Sequence, residues 1–337
     1  MQISSTPNMP EILGRHVGAL GYGLMGFTWR PKPTPLDQAL EAMHTAFANG
    51  CNLWSGAEFY GPPDYNSMTL INAYFIKFPE DAEKITIAIK GTYNPDTFQL
   101  DGSPENVRRS IDNVLNQLGG VKKLDIFAPS RRDHKVPFEE TLNVIQKEYV
   151  DTGKVGGIAL SECSAETIEE AIKHVKVALV EVECSLFSPD ILKNGVAAAC
   201  AKHNIPIMAY APIGRGMLTG RFANSSQFQD QGIASGFPRF QPESFQHNLK
   251  LVDQVKAVAE RKGITPAQLA INWVRGLNSR KGMPTIIPIP GATTTARVEE
   301  NAQYFPLLEE EMTTLEDITY AFEVSGGRYP EGAPMEA

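Results

Sequence analysis

Residues 124–160 read LDIFAPSRRDHKVPFEETLNVIQKEYVDTGKVGGIAL, and their patterning decides the fold. Leu124 to Ala128 is a short β-rich apolar run. Pro137 to Tyr149 carries Phe138, Leu142 and Ile145 at helical spacing. Val155 to Leu160 is β-rich again. A strand, a helix and a second strand joined by short connections imply neighbours in a parallel sheet.

The same unit recurs in both directions. Toward the C-terminus, Ser164 caps a helix bearing Ile168, Ala171, Ile172 and Val175, and Val177 to Val182 is a strand. Ser188-Pro189 caps the next helix, Ile205 to Ala209 is a strand, Thr285 to Ile289 is the last strand, and Thr293 to Gln303 is a helix. Toward the N-terminus, Ile85 to Ile89 is a strand, and Ser103-Pro104 opens a helix with Val107, Ile111, Val114, Leu115 and Leu118 on one side. Cys51 to Trp54 is a strand and Asp64 to Phe78 a helix. The first strand falls around Val17 to Tyr22, and the helix after it takes Thr34 as N-cap, Pro35 at its first position and Gly50 as its stop.

Eight strands, each followed by helix, favour a closed (β/α)8 TIM barrel over an open doubly wound sheet. The 337 residues fit such a barrel with insertions, and no linker marks off a second domain. One barrel domain over residues 1–337 is expected, with a long loop at about 212–244 and C-terminal helices and tail. That loop is rich in Gly, Ser, Gln and Phe, a composition of lids and disordered segments. A helix over Phe245 to Arg261 and another opened by the capping box Thr265-Pro266-Ala267-Gln268 follow it. Gly21-Tyr22-Gly23-Leu24-Met25-Gly26 matches the dinucleotide fingerprint GxGxxG literally. However, no acidic residue ends a second strand about 20 residues on, and Trp29-Arg30-Pro31 stands where a helix should run.

Charge and composition exclude several classes. A formal net charge of −8 offers no basic surplus for phosphate backbones or anionic membranes. No apolar run of about 18 residues is present, so no membrane span is expected. Met1 to Gly14 lacks the basic and apolar regions of a secretory leader. Without that leader, the sequon Asn224-Ser225-Ser226 carries no meaning. Cys51, Cys163, Cys184 and Cys200 form no CxxC pair, which fits a reducing, cytoplasmic setting. The histidines and carboxylates form no metal-ligand constellation, so no metal is expected, and His134 reads as a solvated loop residue. No obligatory protein partner is evident.

In a barrel of this kind the chemistry sits at the C-terminal strand ends. Tyr60 follows the second strand and Lys90 ends the third. A nearby ammonium lowers a phenol's pKa, so this pair suits proton donation to a carbonyl oxygen. Two other readings fit the same residues: a buried Lys90 paired with Glu58, or a Schiff-base lysine. Ile287 to Asn301 ends a strand in Pro-Gly, exposes a Thr-rich turn and opens a helix carrying Arg297, the makings of an anion site.

The segments Gly21 to Phe27, Cys51 to Gly61, Ile87 to Lys90, Leu124 to Asp133, Gly157 to Ala171, Glu181 to Phe187, Ala209 to Gly220 and Ile287 to Asn301 together resemble the aldo-keto reductases over nearly the whole chain. The resemblance implies a barrel that binds NADPH without the glycine fingerprint. It implies Tyr60 as proton donor and Lys90 as its partner. Ser55 and Ser130 stand where the family has its aspartate and histidine. Removal of that aspartate would leave Lys90 uncompensated and Tyr60 more acidic, unless Lys90 itself loses its proton. Loss of the histidine takes a donor from the carbonyl, with the Ser130 hydroxyl as a partial substitute.

The resemblance further implies nicotinamide contacts from Ser161, Glu162 and Glu181, with Tyr210 stacking. Gly23, Met25, Gly214, Gly216 and Leu218 belong to the cofactor-binding set, and Thr293, Arg297, Glu300 and Asn301 to its 2′-phosphate and adenine end. Cys51-Asn52-Leu53-Trp54, Glu58 to Pro63, and Ser185-Leu186-Phe187-Ser188 resemble the fungal pyridoxal reductases. That branch implies reduction of pyridoxal to pyridoxine. Trp29, Phe59 and Phe127 would offer aromatic surface to the pyridine ring, and Arg131 or Arg132 would meet its phenolate oxygen. The alternatives are a reductase of another aldehyde or a diketone, and a catalytically weak NADPH-binding regulatory subunit.

Overall fold

The computed structural model describes residues 9–97 and 99–337; residues 1–8 of the stretch read for a leader lie outside the described residues. A hairpin of β1 (Glu11–Ile12) and β2 (Arg15–His16) comes first. Eight parallel strands follow in chain order, each beside the next. They are β3 (Tyr22–Gly23), β4 (Leu53–Ala57), β5 (Thr86–Gly91), β6 (Leu124–Pro129), β7 (Val155–Ser161), β8 (Val177–Glu183), β9 (Ile207–Tyr210) and β10 (Ile286–Pro288). Gly21 N–H donates to Pro288 O at 2.9 Å and Gly23 N–H to Pro290 O at 3.4 Å, joining the first and last strands. The fold is the (β/α)8 barrel.

Those glycines explain the misleading fingerprint. A Cβ on Gly21 would lie 2.6 Å from Leu53 O, and one on Gly23 would lie 3.0 Å from Ile289 O. Only bare backbone fits where the barrel closes.

Alternation along the strands makes two cores. Leu53, Ala88, Ile126, Ala159, Leu179, Met208 and Ile287 fill the lumen, and Ile12 and Val17 plug it from the hairpin side. Their strand neighbours pack outward against the helices. Val17 thus serves as plug, and the expected first strand is narrowed to Tyr22–Gly23. The hairpin is tied down where Arg15 meets Asp125 at 3.0 Å.

Several expected boundaries shift. Pro35 precedes the helix Leu36–Ala48 instead of opening it. The helix expected from Asp64 begins at Ser67, because Asn66 caps it in a reciprocal box with Thr69. The helix expected over Pro137–Tyr149 is α over Phe138–Val144 and π over Ile145–Val150. Ser188-Pro189 leads into a single 3-10 turn, and the helix itself is Val196–Lys202. The segment 212–244 is ordered as four short 3-10 stretches. Its phenylalanines supply the reason: Phe228 stacks on Phe240 with ring centroids 4.4 Å apart, and both are fully buried. Among the described residues, no helix is long and apolar enough to cross a membrane.

Candidate active site

The C-terminal strand ends surround a cavity of about 820 Å³. Lys90, near the end of β5, is held in register between Ala57 and Ala128. Its ammonium, 4% exposed, donates to Glu181 Oε1 at 2.6 Å and to Ser55 Oγ at 2.8 Å. Ser55 Oγ lies 3.1 and 3.0 Å from the two Glu181 oxygens, so the hydroxyl accepts from Lys90 and donates to the carboxylate. Glu181 belongs to β8 and reaches the lysine from across the lumen. Serine at position 55 therefore does not leave Lys90 uncompensated. Nor does Lys90 pair with Glu58, whose carboxylate takes Arg109 at 2.9 Å, Ser110 at 2.6 Å and Asn113 at 3.1 Å.

Those bonds to Glu58 fasten the turn that presents Phe59 and Tyr60. Lys90 Nζ lies 5.3 Å from the Tyr60 ring centroid, and Trp29 stacks on the same tyrosine with ring centroids 5.1 Å apart. Burial raises the phenol's pKa; Lys90 pulls it down, while Glu181 and Tyr329 push it up, and the net direction is upward. This corrects the expectation of a more acidic Tyr60. Burial disfavours the charge on Lys90, but Glu181 and Tyr60 overcome it and hold the ammonium above its ordinary pKa.

Most of the expected site residues share this cavity. Ser55, Tyr60, Lys90, Trp29, Phe59 and Arg131 line it, as do Gly23, Met25, Ser161, Glu181, Tyr210 and Gly216. At its other end stand Thr293, Arg297, Glu300 and Asn301.

Six do not reach it. Phe127 alternates outward into the helix layer and is fully buried there. Ser130 is 1% exposed, lies outside the cavity lining, and its hydroxyl has no hydrogen-bond partner among the described residues. Arg132 is taken by Glu170 at 2.7 Å. Glu162 turns away on a left-handed backbone (φ 48°) to accept from Glu183 N–H at 3.1 Å and Arg328 at 3.0 Å. Gly214 packs on Phe187, and Leu218 is core. His134 is indeed an exposed loop residue, though it meets Glu336 at 2.7 Å.

Two features of the site escaped the sequence reading. Arg30 and Arg221 line the cavity with Arg297. Burial, then Arg297 and Arg30, lower the pKa of Arg221, which marks three guanidiniums crowded at one place. Arg30 was visible only as part of an unhelical Trp29-Arg30-Pro31. The second feature is the C-terminal tail, where Tyr329, Pro330 and Met335 form part of the cavity wall. Arg328-Tyr329-Pro330 beyond the last helix was the available signal. No group of three His, Cys, Asp or Glu residues suited to a metal ion occurs among the described residues.

Comparison with known proteins agrees with this geometry. Residues 19–319 match the Aldo/keto reductase family. The chain is 40% identical over 331 residues to "Probable pyridoxal reductase 2" of Schizosaccharomyces pombe, covering 95% of this chain and 97% of that protein. It is 33% identical to "Aldo-keto reductase yakc [NADP(+)]" of the same organism, covering 94% and 93%. The solved structure of the glycerol dehydrogenase AKR11B4 from Gluconobacter oxydans superposes with a TM-score of 0.77 at 22% identity, covering 98% of each chain, a likeness of fold.

Proposed function

The chain belongs to the aldo/keto reductase family, and on that premise we propose that it is an NADPH-dependent aldehyde reductase whose substrate is pyridoxal. At the level of the family it is an NADP(H)-linked reductase of small carbonyl compounds. The observation that carries the finer reading is Tyr60 beside the buried Lys90 ammonium, in one cavity lined also by Trp29, Phe59 and Arg131.

The residues fit a phosphorylated dinucleotide. Three guanidiniums crowd one end of the cavity, where a bound anion would relieve their mutual repulsion. Arg297, with Thr293, Glu300 and Asn301, would hold the 2′-phosphate and adenine end; Arg30 and Arg221 add charge there. Ser161, Tyr210, Gly23, Met25 and Gly216 would hold the rest. NADPH, when bound, supplies hydride to the carbonyl carbon.

The protein's own contribution is proton delivery. Tyr60 gives its phenolic proton to the carbonyl oxygen, and the Lys90 ammonium stabilises the phenolate that remains. Trp29 and Phe59 offer aromatic surface to a planar ring. Arg131 lies near enough to Tyr60 to favour its ionised form, and would meet a phenolate oxygen ortho to the aldehyde. The name of the pombe relative supports pyridoxal in particular.

The test is initial-rate loss of NADPH absorbance with pyridoxal, beside 4-nitrobenzaldehyde and a blank. Selective turnover of pyridoxal is expected, and Tyr60→Phe should reduce it by about 100-fold or more. Turnover of the nitroaldehyde alone would remove pyridoxal from the assignment. Silence with both, in protein that binds NADPH, would favour a regulatory subunit.

A further inference from the structure

We infer that Glu181 is a positioning residue for proton delivery: it supplies, from the far side of the barrel, the carboxylate that fixes Lys90 against Tyr60, with Ser55 as the bridge between them. The inference rests on the reading of Tyr60 as proton donor.

The geometry is specific. Lys90, Ser55 and Glu181 sit on three different strands, β5, β4 and β8, and close a triangle of contacts of 2.6, 2.8 and 3.0–3.1 Å. All three are buried, at 3%, 3% and 5% exposure. Glu181 is the one carboxylate in ion-pair contact with Lys90 among the described residues. Charged or titratable groups facing Lys90 are Glu181 and Tyr60; Tyr329 and Arg131 act on the phenol from the tail and from the end of β6.

The Ser55 hydroxyl reaches the lysine from β4 but is neutral. The negative charge comes from the Glu181 carboxylate on β8. A buried ammonium without a carboxylate loses its proton readily. Glu181 therefore keeps Lys90 charged through the reaction, and its two oxygens on Ser55 fix the direction from which the ammonium faces the phenol.

The arrangement predicts that the carboxylate is exchangeable between the two strands. An aspartate at position 55 should do from β4 what Glu181 does from β8. The variants are Glu181→Gln and the swap Ser55→Asp/Glu181→Gln. Lys90 charge is read directly from the ε-carbon resonance of 13C-labelled lysine, identified by its loss in Lys90→Met. Removing a negative charge lowers the pH at which the Tyr60–Lys90 pair first gives up a proton, whichever group gives it. In Glu181→Gln, proton loss from Lys90 should fall by about 1–3 pH units, and the alkaline limb of kcat should move down with it. The swap should return both toward the wild type. The Kd for NADPH, from fluorescence quenching, is followed in the same variants, because the family resemblance also implies Glu181 as a nicotinamide contact: the inference requires the titration to move whether or not the Kd does.

An unmoved lysine titration in folded Glu181→Gln overturns the inference, as does a folded swap that fails to restore it. A tenfold weaker Kd with an unmoved titration would make Glu181 a cofactor contact instead. If Glu181→Gln does not fold, the swap carries the test alone, and a swap that also fails to fold counts against it. The two readings fail separately. A moved titration in a protein without carbonyl turnover removes the proposed reaction and keeps the Glu181–Lys90 coupling. Full turnover with an unmoved titration does the reverse.

Discussion

The hydroxyls of Tyr210 and Tyr329 meet at 2.8 Å, although 119 residues separate them. Tyr210 ends a barrel strand and Tyr329 belongs to the C-terminal tail, so this contact makes the tail a wall of the cavity. Arg215 donates to the same Tyr329 hydroxyl at 2.8 Å. One residue earlier, Arg328 reaches Glu162 at 3.0 Å and Glu183 at 3.3 Å.

Arg328 is thus the ionic anchor of the tail, and its removal should be costly. Arg328→Met leaves Glu162 without its ion pair and Glu183 with Arg215 alone. Breaking a buried pair from one side costs about 3–5 kcal/mol; the lower end is expected here because Arg215 remains. Burial pushes the Glu183 carboxyl up, but Arg215, Arg328 and Arg239 reverse this, and its folded pKa lies below the reference of 4.5. A depressed carboxylate stabilises the fold fully above its unfolded pKa, and this contribution fades as pH falls through the folded value. Urea denaturation should therefore show a large difference between wild type and variant at pH 7 that shrinks below about pH 4. A difference independent of pH would mean that the pairing energy is not what the variant loses.

Ser130→Ala separates a catalytic hydroxyl from an idle one. The Ser130 hydroxyl is buried, has no partner among the described residues and does not line the cavity. Alanine removes an unsatisfied polar group, so stability should hold or rise by up to about 1 kcal/mol. Turnover should stay within about twofold. A fall of about 100-fold, the usual cost of removing a donor from the reacting oxygen, would return Ser130 to the carbonyl.

The barrel was legible because its signal is periodic. Each strand–helix unit repeats the same apolar spacing, and β5 to β10 lie within two residues of their expected bounds, while β3 and β4 shift further toward the C-terminus. Faces were harder. Phe127 looked available until alternation from Ile126 put it on the helix side. The carboxylate on Lys90 was invisible for another reason. Glu181 lies 91 residues away and meets the lysine only because the closed barrel brings β8 opposite β5. The tail has no periodicity at all, and Arg328 gains its meaning only from two carboxylates on other elements.

Gly21→Ala tests barrel closure against the dinucleotide fingerprint. Its new Cβ would fall 2.6 Å from Leu53 O and 2.8 Å from Ile289 Cγ2, both fixed in the sheet. Backbone must shift, at a cost of about 1–3 kcal/mol or more. Gly26, the third glycine of the same motif, is different: a Cβ there meets nothing closer than Thr293 Cγ2 at 3.8 Å. Gly26→Ala should be neutral or slightly stabilising in thermal melts. The opposite ranking would mean that close approach at barrel closure is not what requires glycine at position 21.

Arg297→Ala tests which charge the crowded arginines await. Arg297 lies in the first turn of the helix Thr295–Ala302, exposed and lining the cavity, and it lowers the pKa of Arg221. Three cations held together gain most from a ligand of high negative charge, and a 2′-phosphate brings about two units of it near neutral pH. NADPH and NADH differ in that group alone. The variant should bind NADPH about tenfold or more weakly, roughly the loss of one charge-assisted contact, while NADH binding changes by less than about threefold. Added salt should weaken NADPH in the wild type more than in the variant, because a partly exposed guanidinium is screened. Titration of both nucleotides by fluorescence at two ionic strengths decides the matter: equal losses for the two would place Arg297 on the adenine or the pyrophosphate and leave the phosphate to Arg30 and Arg221.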